Sequence, residues 1–405
     1  MTPEINPGDT AWIMISTALV LLMTPALAFF YGGMVRKKNI LSTLNLSFIM
    51  MALIGVQWVV IGYSLSFGAD HAGIIGGLDF VGFNLVGKTP GPYAETIPHL
   101  AFASFQMMFA VITPALITGA FVERVRFSAF LLFSLLWTTL VYDPLCHWVW
   151  GKGGWMGAMG ALDFAGGNVV HIAAGFSALA FALAIGPRKG FTITTMEPHN
   201  IPFTVLGAGL LWVGWFGFNA GSSLAADGLA ANALVTTNTA AASAALVWGV
   251  LSWRENRPSV MGIATGAVVG LVAITPGAGF VSPLGALVIG ALAAPVSYYS
   301  IQFRQSKNLD ESLDVWACHG MAGVWGALAT GIFADPAINQ AAGLFYGNPT
   351  QLLIQAVSVV VTIAYVSTMT FILARIIDAW LGLRVSGLAE EIGLDLSEHG
   401  ERAYS

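Results

Sequence analysis

The 405 residues are 56% hydrophobic and only 9% charged, which leaves too little polar surface to cover a soluble globule of that size. The chain therefore belongs in a bilayer. A net charge of −5 gives no reason to expect nucleic acid as a partner, and nothing in the composition calls for a cofactor. The 25 Phe, 13 Trp and 47 Gly suit interfacial belts and close helix packing among membrane lipids.

A spanning helix needs about 20 predominantly apolar residues. In chain order such stretches fall at 10–35, 40–67, 98–122, 127–146, 164–186, 201–224, 229–252, 259–275, 282–303, 315–334 and 351–377, which predicts an all-α polytopic membrane protein of eleven spans. Residues 1–9 lack the basic n-region of a signal peptide, and the apolar stretch behind them is too long for one. They are read as an extracytoplasmic N-terminus, with a true span from residue 10. An odd number of spans puts the termini on opposite sides, so positive charge tests the orientation. Alternating from an outside N-terminus, fourteen of the sixteen Lys and Arg fall inside: Arg36, Lys37, Lys38, Arg124, Arg126, Arg188, Lys189, Arg254, Arg257, Arg304, Lys307, Arg375, Arg384 and Arg402. Only Lys88 and Lys152 fall outside. The outer segment 68–97 mixes glycines with apolar residues and is expected to pack over the outer mouth. Residues 385–405 read as a polar, acidic cytoplasmic tail.

Ten of the spans divide into two sets of five. An odd number per set makes the second begin on the opposite side, so an inverted repeat of 10–186 and 201–334 is expected, with 351–384 as a brace. The fifth span reads His171-Ile-Ala-Ala-Gly175 and the tenth His319-Gly-Met-Ala-Gly323. Short matches among Ala and Gly arise by chance. What counts is the register, which brings both histidines near the midplane, facing each other.

Ionisable residues inside spans are by default functional candidates, because a charge at the bilayer centre costs about 2.5–3.5 kcal/mol even on the lenient insertion scale. His71, His147 and His199 fall in loops or at span ends, His99 opens the third span and His399 lies in the tail; all five are read as solvated or interfacial. His171 and His319 differ. Two facing neutral imidazoles can share a proton or bond a small polar solute without fixed charge; the bland alternative is a structural contact between helices. A metal site would need a third ligand, and Cys318 points about 100° away from its neighbour His319 on a helix, so no metal is expected. Cys146 and Cys318 lie at different depths and are not expected to form a disulfide. Asp163 precedes the fifth span as an N-cap and near the mouth would also favour an incoming cation. Asp314 is read as a cap of the tenth span.

Five stretches then carry a resemblance that covers nearly the whole chain: Phe105-Gln-Met-Met-Phe109, Tyr142 to Trp150 followed by Gly151-Lys-Gly-Gly-Trp155, Ala161-Leu-Asp163 to His171, Gly214-Trp-Phe-Gly-Phe218-Asn-Ala-Gly-Ser222, and Asp314-Val-Trp-Ala-Cys-His319-Gly. The chain resembles the ammonium transporter (Amt) family, whose members are transporters rather than enzymes. The resemblance implies an outer recruitment site of Trp150, Phe109 and Ser222, a stacked gate of Phe109 and Phe218, a narrow pore lined by His171 and His319, and supporting roles for Asp163, Phe105 and Tyr142. It also implies a homotrimer with one pore per subunit, in the cytoplasmic membrane, with ammonium or ammonia as substrate and methylammonium left open. The tail resembles the part of the family that meets a PII-type signalling protein. Lys152 stands where the family usually has glycine, and Asp143 is expected to offset its charge. A second reading is an ammonium sensor, since some relatives join this membrane domain to a signalling module; the sequence in hand closes at Ser405 with nothing that signals.

Overall fold

The computed structural model describes residues 4–404. It is predominantly helical, and nine of its helices are long and apolar enough to cross a membrane: Pro7–Met34, Lys37–Phe67, His99–Ala120, Phe127–Ala158, Gly167–Ile185, Ile201–Ser223, Gly228–Glu255, Pro283–Ser306 and Pro349–Leu381. Two shorter rods stand where the eighth and tenth spans were expected. The eighth is Val260–Ile274, and the tenth joins Trp316–Met321 to Ala322–Phe333.

The sequence starts these rods with its own caps. Asn6 Oδ1 accepts from the backbone N–H groups of Gly8 and Asp9 ahead of Pro7 at the first helical position. Asn200, Asp227, Ser259 and Ser282 do the same for Phe203, Ala230, Gly262 and Gly285. Each cap satisfies N–H groups that have no partner within the helix.

Five rods contain a π-helical stretch that the apolar pattern does not announce: Trp58–Gly62, Thr138–Tyr142, Gly167–Ile172, Phe216–Ala220 and Trp316–Met321. Four of the expected site residues, Tyr142, His171, Phe218 and His319, lie in them. A π turn widens the helix and shifts side chains out of regular register.

Segment 68–97 folds into two small antiparallel hairpins, Asp70–His71 with Ile75–Gly76 and Pro90–Gly91 with Ala94–Pro98. Between the latter strands Tyr93 lies flat on Phe102, centroids 5.2 Å apart and planes 5° off parallel. On the opposite face the tail is held down by ions and caps. Lys38 Nζ donates to the carbonyls of Glu390 and Glu391, Asp395 Oδ1 accepts from Ser42 N, and Arg384 Nε donates to Glu390 Oε1. Beneath it a buried network joins four basic loops. Glu123 accepts from Arg36, Asn39 and Arg188, and Arg188 also grips Asp310 through Nε and Nη2. Burial pushes the carboxyls of Glu123 and Asp310 up, but the facing guanidinium groups, Arg188 above all, outweigh it and hold both below the ordinary carboxylate range.

Candidate functional site

The fifth and tenth rods cross at their glycines. A Cβ on Gly175 would stand 2.1 Å from the backbone nitrogen of Gly320 and 2.3 Å from its Cα, while one on Gly323 would meet Ile172 Cγ1 at 3.0 Å. The relation is reciprocal: four residues past each histidine a glycine lies against the residue just after the other histidine. So close a crossing places His319 Nδ1 3.3 Å from His171 Nδ1. One ring must donate and the other accept, so the two neutral histidines hold opposite tautomers. Both are buried, and His171 Nε2 has no partner.

The pair sits in a narrow apolar cavity of about 10 Å³, lined by His171, His319, Trp215, Phe218, Leu27 and Val268 among others. A cavity of about 320 Å³ on the side of the basic loops shares Phe30, Val268 and His319 with it. On the far side Phe218 packs on Phe109, with centroids 4.3 Å apart and planes inclined by 37°. The pair is therefore tilted rather than stacked in parallel. Phe109 in turn lines a third cavity, of about 300 Å³, together with Trp150, Ser222, Tyr93, Phe102 and Gln106. Two wider cavities thus flank a constriction closed at one end by two phenylalanines.

The structure brings Trp150, Phe109 and Ser222 to one cavity. Trp150 meets Phe109 edge-on at 5.9 Å and donates from Nε1 to the carbonyl of Asp163 at 2.8 Å; Ser222 Oγ donates to the carbonyl of Phe218 at 2.8 Å. The Asp163 carboxylate accepts from the N–H groups of Gly166, Gly167, Asn168 and Val169. It therefore caps the π turn that carries His171 and fixes Trp150 through its own backbone. Phe105 packs edge-on against Phe109 at 5.0 Å. Tyr142 is buried against Trp58, its hydroxyl without a partner, and lines none of the three cavities.

Several expectations need correcting. His147 is not solvated: it is fully buried, with Nε2 2.9 Å from Asp70 Oδ1 and Nδ1 2.9 Å from the carbonyl of Ser66, because segment 68–79 folds over it. His99 is buried too, its Nε2 2.5 Å from the Tyr63 hydroxyl. Asp314 does not cap the tenth rod with its side chain, which pairs instead with Arg304 at 2.8 Å; Glu311 Oε2 accepts from Trp316 N. Lys152 leans over the Tyr93 ring, 5.8 Å from its centroid. Asp143 does not offset it, being buried and bonded to Gln57 Nε2 at 2.7 Å. Among the described residues no group of three or more His, Cys, Asp or Glu could hold a metal.

Sequence reasoning passed over Trp215 and Tyr93. Trp215 lies almost parallel to His171, at 5.3 Å and 24°, anchored by Nε1 to Thr275 Oγ1 at 2.9 Å. Its one signal was its place in the stretch from Gly214 to Ser222. Tyr93, in a polar loop, gave none.

The family model "Ammonium Transporter Family" matches residues 11–404. Ammonium transporter Amt1 of Archaeoglobus fulgidus is 52% identical over 99% of this chain and 100% of its own length, and the ammonium transporter of Bacillus subtilis 48% over 98% of each. Among solved structures, Saccharomyces cerevisiae Mep2 superposes with a TM-score of 0.89 at 34% identity, covering 94% of this chain and 88% of that one. A sensor Amt protein superposes with a TM-score of 0.89 at 28% identity, covering 97% and 98%. The chain belongs to the ammonium transporter family.

Proposed function

We propose that this protein carries ammonium across the cytoplasmic membrane, taking the ion at the outer cavity and passing neutral ammonia through the constriction. The observation that carries the reading is the buried His171–His319 pair in an apolar passage between two wider cavities. The wider framework is eleven spans with the N-terminus outside and the C-terminus inside, in two halves, 10–186 and 201–334, braced by 351–384 and followed by the tail 385–405.

Trp150 and Phe109 offer a cation aromatic faces, worth about 0.5–1 kcal/mol when exposed and about 2 when desolvated, and Ser222 adds an acceptor for N–H groups. These terms gather ammonium but fall far short of the idealised cost, about 20 kcal/mol, of taking a bare ion into a low-dielectric medium. The constriction has room for about one water-sized molecule, too little for a hydrated ion. Charge and nitrogen therefore separate near Phe109 and Phe218. Ammonia crosses the constriction, and the proton takes the histidines. It arrives on His171 Nε2, the Nδ1 proton of His171 shifts to His319 Nδ1, and the Nε2 proton of His319 leaves toward the inner cavity. Potassium has no proton to give up and is rejected. In proteoliposomes, His171→Ala with His319→Ala should abolish ammonium-specific current; an intact current with potassium still rejected would show the proton relay to be wrong.

The working unit is a homotrimer, read by native mass spectrometry, and the cytoplasmic face with its tail is the docking surface for a PII-type protein. Unchanged affinity for that protein after deleting 385–405 would count against the docking. The sensor reading is the weaker one: the relatives at 48–52% identity carry transporter names, and the sensor Amt protein stands at 28%.

A further inference from the structure

Asp143 is a buried ionisable side chain that the transport path leaves unused. It lies inside the fourth rod, directly after the π turn Thr138–Tyr142, is completely buried, and among the described residues pairs with no Lys, Arg or His. Its one side-chain hydrogen bond comes from Gln57 Nε2, which donates to Oδ2 at 2.7 Å. Gln57 closes the regular part of the second rod just before that rod's own π turn, Trp58–Gly62. Its amide sits in a niche that only glycine leaves open, since a Cβ on Gly62 would stand 2.5 Å from Gln57 Oε1.

Two acceptors remain without a donor: Asp143 Oδ1 and Gln57 Oε1, both buried. Buried polar atoms are rarely left so. One hydrogen placed between them answers both, because a carboxylic acid and a primary amide can exchange two hydrogen bonds in a ring, each donating once and accepting once. The groups around Asp143 supply no cation in its place. Ser66 on the second rod donates to the Asp143 carbonyl at 3.4 Å, Tyr142 and Cys146 on its own rod are neutral, and Tyr365 on the eleventh donates to the carbonyl of Leu140.

We propose that Asp143 and Gln57 form a proton-holding site within the membrane, separate from the histidine pair, in which Asp143 carries a proton on Oδ1 and donates it to Gln57 Oε1. The proton joins the second rod to the fourth beneath an otherwise apolar groove of about 750 Å³, in which Gln57 and Thr139 are the polar side chains. This rests on the placement of the two rods in the bilayer and not on how ammonium crosses.

Infrared spectroscopy of the full chain in lipid vesicles tests it. A carboxylic-acid carbonyl band is expected to persist from about pH 6 to about pH 9, far above where an unperturbed Asp loses its proton. Asp143→Asn should remove that band, by the amount of one carboxyl group, while keeping wild-type thermal stability, since its amide can donate to Gln57 Oε1 in the same ring. Identical spectra for wild type and Asp143→Asn in the carboxylic-acid region would overturn the proposal, because Asp143 would then be ionised and a bound cation would have to balance it. Gln57→Leu is an independent check: it should move the band to higher frequency as the acid loses its partner, and an unmoved band would also overturn the proposal.

Discussion

Gly175→Ala is a one-methyl change that should uncouple the two histidines while leaving both imidazole side chains in place, the new Cβ meeting the backbone of Gly320 and, at 3.1 Å, the carbonyl carbon of His319. The added Cβ would lie 2.1 Å from the backbone nitrogen of Gly320, whereas ordinary contact begins near 3.4 Å. Backbone cannot rotate aside as a side chain can, so the fifth and tenth rods must part by about 1.3 Å at that point. The Nδ1–Nδ1 contact, 3.3 Å in the native crossing, then stretches beyond about 4 Å, outside hydrogen-bond range. Overpacking of this kind costs roughly 1–3 kcal/mol and the lost hydrogen bond roughly 0.5–1.5 kcal/mol, so a destabilisation of about 1.5–4.5 kcal/mol is expected. Gly323→Ala is the matched control. Its nearest neighbours are Ile172 Cγ1 at 3.0 Å and His171 Cβ and Ile172 N at 3.3 Å, which need to yield only a few tenths of an ångström, and its cost should stay below about 1.5 kcal/mol. Thermal denaturation of the purified proteins reads the stability difference, and ammonium current in vesicles reads the pair. Equal destabilisation by the two substitutions, or wild-type stability and current in Gly175→Ala, would refute the idea that this crossing sets the histidine contact.

Three further outcomes follow from the packing and the ion pairs. Asp163→Ala leaves four backbone N–H groups at the start of the fifth rod without their acceptor; at roughly 1.5–3 kcal/mol for hydrogen bonds to a charged group, a loss of several kcal/mol is expected by thermal denaturation, whereas a loss below about 1 kcal/mol would mean that water replaces the carboxylate. Glu123 and Asp310 have carboxyls held low in the folded state, so their contribution is complete above the unfolded value of about 4 and disappears as pH falls through the lower folded values. Stability should therefore decline on the acid side of about pH 4. Glu123→Gln, which breaks a buried network, should cost about 3–5 kcal/mol at neutral pH and flatten that acid-side decline; an unchanged acid limb would assign it to other groups. Gly209→Ala meets nothing within 4 Å and should stabilise the sixth rod by about 0.5–1 kcal/mol, a gain visible as a higher melting temperature with ammonium current unchanged.

The long apolar runs were legible because membrane burial demands them, and among the described residues nine of the eleven expected stretches are helices long and apolar enough to cross a membrane. What the apolar pattern could not carry was the departure from 3.6 residues per turn. Gly167-Asn-Val-Val-His171-Ile172 reads as ordinary helix, yet it winds as a π turn, with the Asp163 carboxylate gathering the N–H groups of Gly166 and of the turn's first three residues. His99 and His147 were misread for a related reason. Their partners are Tyr63 and the carbonyl of Ser66 at the end of the second rod and Asp70 just beyond it, which reach them only once that rod has packed against the third and fourth, and the spacing of residues along the chain holds no trace of that. The tail hides its docking in the same way: Lys38 and Glu390 are more than 350 positions apart.

The His-x-x-Ala-Gly repeat illustrates how a weak sequence signal can have a strong physical cause. A neutral imidazole in an apolar cavity has one donor and one acceptor, and alone it would leave both without partners, at a cost of about 1–3 kcal/mol for each such group. Two imidazoles facing each other satisfy one nitrogen apiece and leave one donor and one acceptor turned to the passage, the complement of a small neutral molecule with N–H groups and a lone pair. That arrangement requires two helices to approach until their backbones touch, and only glycine at Gly175 permits it against Gly320. The histidine and the glycine four residues on are thus a single requirement: one supplies the polar atoms, and the other lets the partner come near enough to share them.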